Sequence, residues 1–207
     1  MVRPRITLAA TLLIIGAGPV LAASNTDLSV SGIITPASCI PSLSDGGVVD
    51  HGKLSVKDLN ADKPTSLQTG EMLLQVECQG PTFFTLTTVD SRNGSAALNP
   101  AHHGLGMINE DQKLGNAAFG LFDPVADSGP VQTILSRDGG ATWAPSAYLG
   151  HTALTSFAPP SGPYTPMALQ TLSARLLAFT TIAPASNLTL LDEVPIDGLA
   201  VMQLKYL

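Results

Sequence analysis

The sequence predicts an all-β fold, a sandwich of two sheets. Three observations carry that expectation. Apolar and polar residues alternate with a period of two in several short runs, the pattern of strands that lay one face on a core. Glycine (19) and proline (16) recur every few residues, so no long helix survives. The turns they mark separate many short strands rather than strand–helix–strand units, which argues for a sandwich.

Taken in order, the chain opens on a segment that stands apart. "MVRPRITLAATLLIIGAGPVLA" carries Arg3 and Arg5, an apolar stretch from Ile6 to Ala17, then Gly18, Pro19 and the small-residue site Val20-Leu21-Ala22. This reads as a secretory signal peptide, residues 1–22, cleaved after Ala22 or Ala23. Its apolar run falls short of the roughly 20 residues that a membrane span needs. No later stretch is long and apolar enough to span a membrane. The expected mature chain, residues 23–207, has room for one domain with a real core.

Within it, "DLSVSGIIT" (27–35) puts Leu28, Val30, Gly32 and Ile34 on one face of an extended segment. Pro36 and Pro41 bracket Cys39, and "KLSVKDLNADKPTS" is polar and irregular, with one helical turn near Val56–Asn60. "EMLLQVECQ" (71–79) and "TFFTLTTVD" (82–90) read as strands joined by a Gly80-Pro81 turn. A loop at 91–104 precedes the strands "NAAFGLFD" and "VQTILS", and "RDGGAT" supplies the positive φ of a hairpin turn. "GHTALTSFAPPSGPYTPM" is a proline-rich loop around one more short strand. "ALQTLSARLLAFTTI" (168–182) fits both a helical and an alternating pattern, and its Thr- and Pro-rich flanks favour strand. "NLTLLDEV" and "GLAVMQLKYL" close the chain, the latter with Ala200, Met202, Leu204 and Tyr206 on one face and Gln203 and Lys205 on the other.

Loss of residues 1–22 removes two arginines and no acids, which leaves a formal charge of −8. So acidic a chain has no electrostatic footprint for nucleic acid. Charged residues make up 13% of the sequence, against roughly 25% in ordinary globular proteins. A surface of that kind is unusually apolar or is covered by partners. The two cysteines, Cys39 and Cys78, are expected to bond to each other in an exported chain. Two cysteines without a nearby histidine make no zinc ligand set, so neither a metal nor another cofactor is expected.

The most specific short motif is "SRDGGATW" (136–143), which is similar to the Asp-box hairpin of sialidase propellers. One copy in a chain this short cannot build a propeller, whose blades of roughly 40 residues must recur. Asp138 and Trp143 are therefore expected to hold a hairpin and to catalyse nothing. "ADSGPV" (126–131) is a faint echo of a serine-protease nucleophile turn, but a triad also needs a base and an orienting acid. His51, His102, His103 and His151 sit in no recognisable catalytic context. No enzymatic activity is expected.

What remains is architectural. A short extended segment is followed by "IITPASC", a second Cys in "LLQVEC", and a final strand with Tyr206 next to last. The chain resembles the subunits of chaperone–usher fimbriae. More closely, over essentially the whole mature chain, it is similar to a group of secreted proteobacterial fimbrial-like proteins long carried as a domain of unknown function. "SGIITPASCIPSLSDGGVVDHG", "LNADKPT", "TTVDSRNGS", "LSRDGGATW", "TIAP" and "TLLDEVPIDG" carry that closer resemblance as a set.

The resemblance implies an immunoglobulin-like, pilin-type β-sandwich that lacks its last strand. It implies partners: a periplasmic chaperone, an outer-membrane usher, neighbouring fimbrial subunits and a host receptor. Ala200, Met202, Leu204 and Tyr206 would line the open groove and contact the chaperone. Leu28, Val30, Gly32 and Ile34 would be the face donated to a neighbour, by strand addition. The expected role is a structural or adhesive subunit of a surface fimbrium, reached through the periplasm. The alternative is a free-standing secreted module that binds a glycan or host protein, with Trp143, Tyr148 and Tyr164 as stacking candidates. Two features depart from the fimbrial pattern. Val194 stands where a glycine is frequent, and the segment before Cys39 is short. The run at 27–35 can therefore donate to a neighbour or pair within its own sheet.

Overall fold

The computed structural model describes residues 38–127 and 129–207. The expected signal peptide and the run holding Leu28, Val30, Gly32 and Ile34 lie outside the described residues. Fifteen strands follow in order: β1 (Cys39–Leu43), β2 (Thr65–Ser66), β3 (Gly70–Thr82), β4 (Phe84–Asp90), β5 (His103–Gly104), β6 (Met107–Ile108), β7 (Gln112–Lys113) and β8 (Gly115–Ala126). Then come β9 (Gly129–Pro130), β10 (Gln132–Ser136), β11 (Ala144–Pro145), β12 (Tyr148–Leu149), β13 (Leu154–Ala158), β14 (Leu169–Ile182) and β15 (Ala200–Tyr206). Helical structure among the described residues is confined to short 3₁₀ turns, one at Val56–Asp58 where a helical turn was expected.

The strands form a β-sandwich. One sheet runs β1-β3-β14-β8-β12, with β2 beside β14 and with β5 and β9 beside β8. The other runs β11-β10-β13-β4-β15, and β6-β7 is a small separate ribbon. The long strands of the first sheet alternate as a half-buried strand must. Met72, Leu74, Val76 and Cys78 of β3 face the core, as do Leu172, Ala174, Leu176 and Ala178 of β14. Phe84, Leu86 and Phe157 meet them from the second sheet, with Phe84 and Phe157 packed edge to face at 6.2 Å. The stretch 168–182 is thus a strand, because its alternation matches the pleat of both neighbours.

One expectation is corrected. Gly80-Pro81 does not turn a hairpin. β3 continues through both residues to Thr82, and the chain passes at Phe83 into the other sheet. Nor does "NLTLLDEV" form a strand: residues 188–199 are irregular. Leu188, Leu190, Val194 and Ile196 pack instead into a second apolar cluster with Leu105, Leu114 and Ile182.

The Cys39–Cys78 disulfide is present. The two residues are direct partners across β1 and β3, with Cα atoms 3.9 Å apart. Ser38 accepts the neighbouring ladder bond from Gln79, which places the cysteines at a non-hydrogen-bonded pair. Facing side chains come closest at such pairs.

Candidate functional site

Both sheets end on an unpaired edge at the same side of the sandwich. β15 pairs with β4 alone and is the last strand of its sheet; β1 pairs with β3 alone and is the last strand of the other. The hydrogen-bond phase of β15 follows from its two ends. Leu199 O accepts from Ser91 N–H at 2.9 Å, and Leu207 N–H donates to Phe83 O at 3.1 Å. In an antiparallel ladder every second residue bonds the same neighbour. Val201, Gln203 and Lys205 therefore bond β4, while Ala200, Met202, Leu204 and Tyr206 turn their N–H and C=O groups to the free edge.

The same four residues face the sandwich interior, opposite Asp90, Thr88, Leu86 and Phe84 of β4. Their burial is uneven. Phe84 is 2% and Leu86 0% exposed, yet Ala200, Met202 and Leu204 are only half-buried and Tyr206 is 42% exposed. An inward face on an edge strand that stays half-open has a side left uncovered. A cavity of about 200 Å³ lies there, between Leu43 and Val49 on one wall and Ala200 and Met202 on the other, with Met72, Phe119 and Leu176 beneath. At one end Cys39 N–H donates to the Tyr206 hydroxyl at 3.0 Å, a link between the two sheet edges.

The Ala200 end is polar. His103, 2% exposed, shares a 2.7 Å hydrogen bond between Nε2 and Thr88 Oγ1. Asp90 accepts from Gly104 N–H at 3.0 Å and from Arg92 N–H at 2.9 Å. Gly104 has to be glycine, because a Cβ would lie 2.0 Å from Ser95 Oγ. Burial pushes the His103 imidazole down to about 4, against the weaker pull of Asp90. His51 stands on the facing wall, its Nε2 2.9 Å from Thr180 Oγ1.

The Asp-box hairpin is self-contained. Asp138 accepts from Ser136 Oγ at 2.7 Å, Thr142 N–H at 2.9 Å and Thr142 Oγ1 at 2.5 Å. These hydroxyls hold its carboxyl well below the usual range. Gly140, at φ 100°, donates to Ser136 Oγ at 2.8 Å and accepts from Trp143 Nε1 at 3.0 Å. Both carboxylate oxygens are spent inside the turn, so the motif is a structural hairpin between β10 and β11.

Of the stacking candidates, Tyr148 donates to Ala101 O and lies under Arg137, whose guanidinium carbon is 5.4 Å from the ring centre. Tyr164 is 41% exposed. Among the described residues no three His, Cys, Asp or Glu side chains converge as a metal site. Sequence reasoning located β15 and its inward face but missed the histidines. Their proximity is made by tertiary contacts that no local pattern records.

Comparison with known proteins supplies the remaining findings. Residues 28–120 match the model of a family described as a protein of unknown function (DUF1120). Over 226 aligned residues the chain is 26% identical to protein GltF of Escherichia coli (strain K12), covering 89% of each chain. It is 28% identical over 110 residues to the uncharacterized protein YhcF of the same organism, across 48% of this chain and 44% of that one.

Proposed function

We propose that this chain is an exported structural or adhesive subunit of a surface fimbrium, and that the groove between β1 and β15 accepts an extended strand from an assembly partner. A periplasmic chaperone supplies that strand first, and the segment around Leu28, Val30, Gly32 and Ile34 of a neighbouring subunit replaces it at the usher. The role is binding rather than catalysis. The observation that carries the reading is β15: four residues present free backbone groups and half-open apolar side chains along one edge. Strand addition uses both, the backbone for affinity and the alternate side chains for fit. Left open, such an edge pairs with other chains.

The test is a synthetic peptide of residues 25–35 added to the purified exported chain. Binding at a hundredfold excess over Kd stabilises the fold by about 2.7 kcal/mol, read as a rise in Tm. Met202→Glu, which puts a charge into the groove, abolishes that rise. A soluble monomer whose Tm is unmoved by the peptide, with no chaperone present, contradicts the reading.

A further inference from the structure

The chain has four histidines, and the fold brings them together at the Ala200 end of the groove. His51 and His103 line the same cavity from different segments. His103 packs edge to face on His151 with ring centres 5.0 Å apart, and on Phe119 at 4.9 Å. His102 precedes it and is bonded through Nδ1 to the Asn116 amide at 3.1 Å. We infer that occupation of the groove is linked to protons: a bound strand covers His51 and His103 in their neutral forms, so strand binding releases protons and mild acid loosens the complex. This rests on the strand-binding reading above.

The physical argument is desolvation. A charged imidazole in an apolar lining loses its water and needs an opposite charge in contact. Around His103 the ionisable groups are Asp90 on β4, His102 beside it and His151 behind it. Asp90 is engaged by two backbone N–H groups, and two histidines 5.0 Å apart repel once both are charged. Around His51 the charged groups are Asp50, Lys53, Glu71 and Glu193. Lys53 and Glu193 pair with each other at 3.0 Å, Glu71 pairs with Arg175 at 2.7 Å, and Asp50 accepts from Gly52 N–H at 2.8 Å. The His51 ring is bonded to the Thr180 hydroxyl instead. A strand laid between Ala200 and Val49 excludes the water that now reaches His51, while nothing on its own backbone supplies a counter-charge. Each proton that must leave weakens binding by up to about tenfold for every pH unit of acidification.

The experiment is calorimetric titration of the full exported chain with the peptide of residues 25–35, at pH 7.5, 6.5 and 5.5. Each pH is run in two buffers of different ionisation enthalpy, which counts released protons directly. The expected result is proton release that grows toward pH 6, with up to tenfold loss of affinity per proton per pH unit. His51→Gln keeps a partner for Thr180 and lowers both the proton count and the slope of affinity against pH. His103→Gln is a second probe, and if that buried variant does not fold, the wild-type proton count and His51→Gln still decide. Binding with equal enthalpy in both buffers and equal affinity at all three pH values overturns the proton linkage while leaving strand binding intact. No binding at any pH overturns the strand-binding reading, and the linkage with it.

Discussion

Acid should destabilise this fold well before its carboxylates titrate, and His103 sets the window. The imidazole is 2% exposed and its folded value is about 4, below the ordinary 6.5. The unfolded chain therefore binds the proton more tightly, and stability falls as pH drops from about 6.5 to about 4. At 1.36 kcal/mol per pKa unit the loss from this one group is about 3 kcal/mol. That is a large part of the 5–15 kcal/mol typical of a domain. Burial lowers His102 as well, so it adds in the same direction. Glu71, held low by its bond to Arg175, contributes stability that is present above the usual carboxylate value and is lost only below it. Urea unfolding at half-unit steps from pH 7.5 to 4 measures the effect. The midpoint should fall steadily below pH 6.5 in wild type and much less steeply in His103→Gln, compared at equal m. A wild-type profile flat between pH 6.5 and 4, or an unchanged slope in the variant, refutes the reasoning.

Other outcomes follow from the same contacts. Replacing both Cys39 and Cys78 by Ser should cost about 4 kcal/mol in urea, from the 39-residue separation that the disulfide closes; a loss under about 1 kcal/mol would contradict this. Asp138→Ala should lower the Tm and open the 136–143 turn to proteases, because Ser136 and Thr142 lose their shared acceptor. Sialoside hydrolysis that disappears in Asp138→Ala would overturn the structural role. Tyr206→Phe removes the link to Cys39 but keeps the ring, and should cost about 0.5–1.5 kcal/mol in thermal or urea unfolding. Lys205→Ser, on the outer face, should leave the unfolding midpoint nearly unchanged.

The parts of this fold that could be read from the sequence are those whose causes are local. The Asp-box hairpin was legible because every partner of Asp138 lies between Ser136 and Thr142. The inward face of β15 was legible because a period of two survives whatever the strand pairs with. Gly80-Pro81 misled because a turn and a strand that changes sheets carry the same local signature. Only the partners of Cys78 and Phe84 tell them apart, and these lie in β1 and β14 on one side and in β15 on the other. "NLTLLDEV" misled in the opposite way. Its apolar residues fill a cluster around Leu105 and Ile182 without a ladder, and Pro195 cannot donate to one. Val194, which stands in place of a frequent glycine, is one of the residues packed there. The histidines were invisible for the plainest reason: His51, His103 and His151 are each about fifty residues apart.

The central claim is that β15 offers a free edge to an incoming strand, and amide hydrogen exchange resolved by residue tests it most directly. In the isolated chain the amides of Met202 and Leu204 should exchange fast, while those of Val201, Gln203 and Lys205, bonded to β4, should be protected. Saturation with the peptide of residues 25–35 should protect Met202 and Leu204 as well and leave the alternation no longer visible. Met202 and Leu204 amides already protected in the isolated monomer, or still fast when the peptide is bound, would contradict the account.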